Sequence, residues 1–228
     1  MKNSTLVAIP AYNEEDCIEA TITELKEIAP DFDFVVINDG SSDGTLKSLS
    51  KLECTYIDLP INCGLTIGFQ TAAKYALSNG YTGMIQFDAD GQHRPEFSKQ
   101  LVAEHNRSNA DIVIGSRFRN KPKDSSLRMI GSRLITWLIK LMTGTNISDP
   151  TSGFRYFNRK TLDAIAGDSS LNPEPETLAL FARKGYQIQE IQVDMRERQG
   201  GESYLNFARS ISYMARVLVS ILFVQWIR

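Results

Sequence analysis

The 228-residue sequence has few cysteines and little excess charge. Its three cysteines, Cys17, Cys54 and Cys63, form no CxxC pair, so neither a zinc site nor a disulfide framework is predicted, and we expect reduced thiols in a cytosolic compartment. The 25 Lys and Arg residues nearly balance 27 Asp and Glu residues, for a formal net charge of -2. Without an overall basic field, nucleic acid is not expected to be the main partner.

Long apolar runs are also missing. No stretch reaches the roughly 18 uncharged apolar residues that indicate a membrane-spanning helix, and the apolar stretch near the N-terminus is too short for a signal peptide. A glycine-rich, lysine-bearing phosphate loop is absent near the N-terminus, which argues against a nucleotidyltransferase. Repeats, low-complexity tracts and a convincing linker are absent as well, so the length favours one large globular domain.

Short apolar runs alternate with segments of helical periodicity. This alternation favours an α/β fold with a parallel sheet and helices on both faces, because buried parallel strands form continuous apolar runs. The predicted strands are 6–10, 32–38, 56–59, 84–87, 111–117 and 188–193. The predicted helices are 13–28, 45–52, 67–78, 95–108, 127–141 and 175–184. Residues 147–159 are rich in turn formers, and no strand or helix is predicted there.

Two carboxylates directly follow one of these strands. Ligands of open α/β sheets bind at the carboxyl ends of strands, where loops 10–15, 38–44 and 88–93 are expected. Asp88 and Asp90, one residue apart, can reach one divalent cation, and hard cations such as Mg2+ take oxygen ligands and keep places for substrate phosphates. We interpret the pair as a metal site that clamps a diphosphate, with Gln92 or His93 nearby. An acidic strand-to-turn boundary is the structural alternative.

Seven motifs occur in an order that resembles glycosyltransferase family 2, the nucleotide-sugar transferases with a GT-A fold. They are IPAYNE (9–14), VINDGSSD (36–43), NCGL (62–65), QFDADGQH (86–93), GSR (115–117), DPTSGFR (149–155) and RQGGES (198–203). Within the family, the sequence is most similar to the branch of dolichyl-phosphate mannose synthase and bacterial polyprenyl-phosphate glycosyltransferases. The resemblance implies a GT-A type, Rossmann-like, mostly parallel sheet flanked by helices.

The resemblance also implies a donor site and a metal site. The residues expected to contact the donor nucleotide are Pro10, Tyr12, Glu14, Asp39 and Asp88, since carboxylates accept hydrogen bonds from ribose hydroxyls and base N–H groups. Asp39 and Asp43 also suit an Asx-type turn. Asp88, Asp90 and Gln92 would hold Mg2+ or Mn2+, which assists departure of the nucleoside diphosphate. Asp90 is therefore a catalytic candidate, whereas His93 is expected to face solvent or to pack.

Arginines are the second implied set. A lipid phosphate is already an anion, so its attack needs cations rather than a general base. Arg117, Arg128 and Ser132 match branch residues near the phosphates, and the two arginines are catalytic candidates. Arg155 and Arg198 are expected to bind the acceptor phosphate as well, because guanidinium groups suit phosphate. For any single arginine, the alternative is a solvated surface position.

The late loop departs from the family pattern, because Tyr204 stands where a lysine is usual. Glu174 and Glu176 fall where family 2 members place an acidic residue near the acceptor. If the acceptor is a saccharide, Glu176 becomes the candidate base, and this is the alternative function. A non-catalytic, membrane-associated scaffold is an alternative of another class.

Two C-terminal segments suggest contact with a membrane. Residues 127–142 combine an apolar stripe, Trp137 and basic neighbours, which favours an amphipathic helix at a bilayer interface, although such a stripe usually packs in a core. In residues 206–228 the apolar part of about 11 residues, roughly 16 Å of helix, is too short to cross a hydrocarbon core of about 30 Å. We therefore predict a catalytic domain over 1–205 and a helix over 206–228 that contacts the membrane or a partner.

Together these features predict a metal-dependent, inverting glycosyltransferase. It would move a hexosyl unit from a nucleotide-sugar to polyprenyl (undecaprenyl) phosphate at the cytoplasmic face of the cell membrane, as a peripheral protein in cell-envelope glycan synthesis. Glucose or N-acetylglucosamine from a UDP-sugar is favoured, with GDP-mannose as the other donor. A small membrane protein or a second copy of the chain is the expected protein partner.

Overall fold

The protein was analysed as a computed structural model that describes residues 4–124, 127–197 and 214–224. The strands are β1 (Thr5–Ala11), β2 (Asp33–Asn38), β3 (Tyr56–Asp58), β4 (Gly83–Gln86), β5 (Ile112–Ser116), β6 (Arg155–Asn158) and β7 (Ile188–Gln192). The helices are α1 (Ile18–Ile28), α2 (Thr45–Lys51), α3 (Leu65–Ser78), α4 (Glu96–Ser108), α5 (Leu127–Thr143), α6 (Arg159–Gly167) and α7 (Pro175–Arg183).

The seven strands form one sheet in the order β3-β2-β1-β4-β6-β5-β7. All neighbouring strands are parallel except β6, which runs antiparallel to both β4 and β5. The carboxyl ends of β1, β2 and β4 therefore meet at one edge of the sheet. This arrangement confirms the predicted mostly parallel sheet flanked by helices.

The turn-rich segment 147–159 ends in two elements that were not predicted, because β6 and the start of α6 lie at residues 155–159. β6 has only four residues and includes Arg155 and Asn158, so it lacks the apolar run that identified the other strands. It is a strand because both of its edges are paired, Met84 opposite Phe157 on one side and Ile112 opposite Phe157 on the other. Tertiary pairing here outweighs local sequence preference.

The core consists of one apolar layer on each face of the sheet. Alternation along β1 shows the division: Leu6 and Ala8 point into one layer, and Val7 and Ile9 into the other, as the two-residue period of a strand requires. The first layer is closed by α3, α5, α6 and α7, and the second by α1, α2 and α4.

The described part of the C-terminal segment packs on this same domain. Residues 214–219 are α-helical and Ser220–Val224 form a π-helical turn. Val217 and Ile221 are buried in the first core layer. Met214 packs on α5 so closely that a Cβ built at Gly131 would overlap its sulfur. Some apolar side chains of residues 214–224 are thus buried in the domain core, and others lie at the surface.

Candidate active site

The loops after β1 and β2 are held together by reciprocal hydrogen bonds. The Asn13 N–H donates to Ser41 Oγ (3.0 Å), and the Ser42 N–H donates back to Asn13 Oδ1 (2.9 Å). One residue further on, the Glu14 N–H donates to Thr45 Oγ1 at 2.9 Å. Asn13 adopts a positive φ of 54°, which asparagine tolerates better than most residues. The two predicted nucleotide loops therefore form one rigid rim at the edge of the sheet.

Asp39 holds a third loop against this rim. Its carboxylate accepts hydrogen bonds from the Cys63 and Gly64 N–H groups, both at 2.8 Å, which fixes the turn that begins α3. Each carboxylate oxygen has a second lone pair, so contact of Asp39 with a nucleotide stays a prediction. The Asx-type turn occurs at Asp43, whose Oδ1 accepts from the Thr45 N–H at 2.9 Å.

The acidic turn after β4 is organised by its own side chains. The Asp88 N–H donates to His93 Nδ1 (2.9 Å), and the Gln92 N–H donates to Asp90 Oδ1 (3.1 Å). Because Nδ1 accepts, a neutral His93 carries its proton on Nε2, which lies 3.5 Å from Asp88 Oδ2. His93 is buried and stacks on Phe154 with ring centroids 4.7 Å apart. His93 therefore packs in the interior, which was one of the two arrangements expected for it.

Burial sets the ionisation of this histidine. Desolvation lowers the pKa of His93 below its ordinary value, and the opposing charges of Asp88 and Asp90 do not reverse the shift. A neutral imidazole that accepts at Nδ1 keeps the backbone of the acidic turn in place. The side chain of Asp88 is 35% exposed, so its carboxylate remains accessible from the cleft.

The donor set of the acidic turn fits a hard cation. Asp88 and Asp90 supply carboxylate oxygens from one turn, and Gly153 leaves room beside them, since a Cβ there would lie 2.8 Å from Asp88 Oδ2. No group of three His, Cys, Asp or Glu side chains suited to a metal occurs within 4–124, 127–197 and 214–224. At a phosphate site, Mg2+ is usually bound by one or two protein carboxylates, and water molecules and substrate phosphates supply the remaining ligands.

Arg117, at the end of β5, is fixed by a buried carboxylate. Its Nε and Nη2 contact the two oxygens of Asp149 at 2.7 and 2.8 Å, and its backbone N–H donates to the same group at 3.0 Å. The side chain of Asp149 is 0% exposed, and that of Arg117 is 24% exposed. Burial alone would raise the pKa of Asp149, but its hydrogen bonds and charge interaction with Arg117 outweigh burial and lower it.

Ser132 lies buried on α5 and contacts a residue that the sequence analysis did not single out. Lys123 Nζ donates to Ser132 Oγ at 2.8 Å and to Thr136 Oγ1 at 3.1 Å. Lys123 belongs to a charged, loop-like stretch with no periodic pattern, so nothing in the sequence marks it. Of the other predicted acceptor residues, the side chain of Arg128 and the whole of Arg198 lie outside the described residues, as does Tyr204.

Arg155 is buried within the sheet, which argues against the expectation that it binds the acceptor phosphate. It is only 2% exposed within β6, and its two terminal nitrogens donate to the carbonyl oxygens of Pro150 and Pro173, each at 2.8 Å. The guanidinium group thus connects the sheet to the segments before β6 and α7. Its role in the described structure is to hold the fold.

We expect Arg155→Met to destabilise the protein by about 2–3 kcal/mol, because two buried carbonyl groups lose a charged donor. The measurement is the free energy of unfolding in urea. Arg159→Met is the matched control, since Arg159 forms an exposed ion pair with Asp163 that should contribute less than about 1 kcal/mol. Equal losses in both variants would contradict a structural role for Arg155.

A cavity of about 640 Å3 opens beside the start of α7. It is lined by Thr66, Asn172, Glu174, Glu176, Ala215, Arg216, Val219 and Ser220. The Asn172 side chain donates to Glu176 Oε1 at 3.0 Å, which fixes one oxygen of that carboxylate. The two glutamates singled out from the sequence therefore share one cavity with the C-terminal helical segment.

An acidic turn and rigid loops lie at the carboxyl edge of a mostly parallel sheet, and the match to a family model identifies the class of protein as a glycosyltransferase. The chain belongs to glycosyl transferase family 2, whose family model matches residues 6–166. It is 30% identical over 215 residues to the undecaprenyl-phosphate mannosyltransferase of Micrococcus luteus, covering 88% of this chain and 87% of that protein. It is 28% identical over 218 residues to the polyprenol monophosphomannose synthase of Mycolicibacterium smegmatis, covering 89% and 81%.

The fold is also similar to that of a solved structure. The glucosyl-3-phosphoglycerate synthase of Mycobacterium tuberculosis, in complex with Mn2+, UDP and phosphoglyceric acid, superposes with a TM-score of 0.69. The match covers 98% of this chain and 78% of that one, at 16% sequence identity. At this identity the likeness establishes the shared fold.

Proposed function

We propose that this glycosyltransferase moves a hexosyl unit from a nucleotide-sugar to a polyprenyl phosphate such as undecaprenyl phosphate. The observation that carries the proposal is the position of Arg117, which follows β5 at the same edge of the sheet as the acidic turn after β4 and is fixed there by Asp149. A fixed guanidinium beside the diphosphate-binding carboxylates suits an anionic acceptor, which must approach an anionic donor. The names of the two polyprenyl-phosphate relatives support the same acceptor class.

In the proposed reaction, a phosphate oxygen of the acceptor attacks the anomeric carbon of the sugar. The bond between that carbon and the nucleoside diphosphate oxygen breaks, and the configuration inverts. No proton has to be removed from the nucleophile, so no general base is required. Asp88, Asp90 and Gln92 would hold Mg2+ or Mn2+, which supplies positive charge to the departing diphosphate. Arg117 orients the acceptor phosphate, and Asp149 keeps Arg117 in position.

A screen of donors and acceptors tests this function. Purified protein is offered UDP-glucose, UDP-N-acetylglucosamine and GDP-mannose in turn, each with undecaprenyl phosphate or a saccharide acceptor, in the presence of Mn2+ or Mg2+. We expect a lipid-phosphate sugar, formed only with the lipid acceptor. UDP-sugars were favoured from the sequence, whereas the mannosyl relatives support GDP-mannose. Transfer to the saccharide alone would overturn the proposal.

The second candidate function, transfer to a saccharide, is favoured by one observation. Glu176 lines the cavity beside α7, and Asn172 fixes one of its oxygens, as a positioned general base requires. In this case Glu176→Gln would abolish transfer to the saccharide. For transfer to a lipid phosphate, the same substitution leaves the nucleophile fully charged.

We propose further that the protein contacts the cytoplasmic face of the cell membrane through an exposed apolar face. This face consists of Ile130, Leu134, Trp137 and Leu141 on α5 and Val219, Leu222 and Phe223 on the C-terminal segment, all exposed. The two segments are neighbours, since Met214 packs on Gly131. Arg133 and Lys140 are exposed on the same helix, where they can contact anionic headgroups.

The same face could instead bind a small membrane protein or a second copy of the chain, the partners expected from the sequence. The apolar stripe of α5 is only partly used for packing: Ile135, Leu138 and Ile139 are buried, whereas Trp137 is 57% exposed. No helix within the described residues is both long and apolar enough to cross a bilayer.

Replacing Trp137 and Leu141 together by alanine should weaken binding to anionic vesicles by tenfold or more, because each buried apolar side chain contributes about 1.5–3 kcal/mol. Sedimentation with vesicles of phosphatidylglycerol and phosphatidylcholine measures the effect. Ile28→Ala is the control, since Ile28 is also exposed but lies at the end of α1. Unchanged sedimentation of the double variant would assign the apolar face to a protein partner.

A further inference from the structure

Lys123 is a half-buried cation whose surroundings differ from those of Lys121, the other lysine in its loop. Lys121, two residues earlier, is 60% exposed and pairs with Asp194 at 2.6 Å. Lys123 instead directs its ammonium group into the domain, onto the hydroxyls of Ser132 and Thr136 on α5. Within the described chain it forms no ion pair with a carboxylate.

Within the described residues, the ammonium group uses two of its three donors. It carries three N–H groups and no acceptor, and the two hydroxyls use two of them. Ser132 accepts from Lys123, so its own O–H remains able to donate. Burial lowers the pKa of Lys123, an effect that the charges of Asp149 and Glu190 oppose and those of Arg117 and Arg133 reinforce. A half-buried cation bound only to neutral hydroxyls is stabilised by an anion that approaches it.

Lys123 lies next to the cation already assigned to the acceptor. Lys123 Nζ is 5.5 Å and Arg117 Cζ is 5.2 Å from the centre of the Phe118 ring, so both groups contact the same aromatic side chain. Two nitrogens of Arg117 bind Asp149, and in the part of the chain that the structure describes no acceptor engages Nη1. Arg117, Lys123 and Ser132 therefore present three donors to a common region.

We propose that Lys123 is an acceptor-binding residue, whose ammonium group binds the phosphate of the polyprenyl acceptor together with Arg117 and the Ser132 hydroxyl. This inference rests on the proposed function and adds a residue to it. A phosphomonoester with two negative charges can use several donors at once. Lys123 supplies the charge that Arg117, neutralised by Asp149, provides only in part. In the set of residues expected to bind the acceptor phosphate, Lys123 takes the place of Arg155, whose side chain is enclosed in the fold.

The test measures binding of farnesyl phosphate by calorimetry, with farnesol as the neutral probe, and binding of UDP and GDP in the presence of Mn2+. We expect Lys123→Met to weaken farnesyl phosphate binding about tenfold to a hundredfold, the value of one charged hydrogen bond. Farnesol and nucleotide binding should be unchanged. In transfer assays, the KM for polyprenyl phosphate should rise by a similar factor, and Lys123→Arg should restore most of the affinity.

Lys121→Met is the matched control and should behave like the unsubstituted protein. If thermal melting shows that Lys123→Met is unfolded, Lys123→Gln replaces it, because glutamine can still donate to the two hydroxyls. Equal farnesyl phosphate affinity in the neutral variants and the unsubstituted protein overturns the inference, as does a parallel loss of nucleotide affinity. If the unsubstituted protein transfers sugar only to a saccharide, both the proposed function and this inference are wrong. If Lys123→Met and Lys123→Gln transfer sugar to the lipid at the normal rate, only this inference is wrong.

Discussion

Asp90→Asn should lower the rate of sugar transfer by at least about a thousandfold, since a divalent cation at a developing diphosphate contributes several kcal/mol to the transition state. Asp90 is only 7% exposed, and its Oδ1 accepts from the Gln92 N–H. Asparagine can keep that hydrogen bond, but it removes the charge. The turn should therefore stay folded while its affinity for the cation falls.

Calorimetry with UDP or GDP separates the two effects of this substitution. The unsubstituted protein should bind the nucleotide more tightly when Mn2+ is present, and Asp90→Asn should lose that dependence. Asp31→Asn is the control, because Asp31 is an exposed residue that pairs with Lys99 and precedes β2, at the edge of the sheet opposite the acidic turn. Near-normal transfer by Asp90→Asn would remove the metal from the proposed mechanism.

The second large effect concerns Arg117. Arg117→Met should destabilise the protein by about 3–5 kcal/mol, the range for removing one partner of a buried ion pair. Asp149 would be left buried with its charge uncompensated. Urea denaturation measures this loss. Adding Asp149→Asn to the same protein should recover most of the stability, because the unpaired charge is removed.

Activity then distinguishes a structural role of Arg117 from contact with phosphate. If Arg117 binds the acceptor, the double variant regains stability but stays inactive toward polyprenyl phosphate. If transfer recovers together with stability, Arg117 serves only to hold Asp149.

The ion pair of Arg117 and Asp149 also predicts how the stability of the protein depends on pH. The pKa of Asp149 is lowered in the folded protein, so its stabilising contribution is present above about pH 4, the ordinary value of aspartate, and is lost as pH falls through the lowered pKa. In the Asp149→Asn variant, the free energy of unfolding should fall less steeply as the pH decreases below about 4.

The fold was predicted well wherever burial produces a continuous apolar run. Six of the seven strands were predicted. For β1, β2, β4 and β5 the reason is that strands buried on both faces are apolar along most of their length, whereas the edge strands β3 and β7 are only partly buried. β6 was missed because its position between β4 and β5 is set by partners distant in sequence, and because the two terminal nitrogens of the Arg155 side chain within it donate to the carbonyl oxygens of Pro150 and Pro173. A buried arginine in a short strand has the same local pattern as a loop arginine that binds phosphate.

The sequence by itself determined the class of fold, the family and the acidic turn, because these depend on local patterns: apolar runs, turn residues and carboxylates one residue apart. The tertiary structure decided which charges face one another. It paired Arg117 with Asp149, which lie 32 residues apart, buried His93 against Phe154, enclosed Arg155, and brought Lys123 to Ser132. Charge interactions and burial depend on distance in space and on the removal of water, and neither is encoded at any single position of the chain.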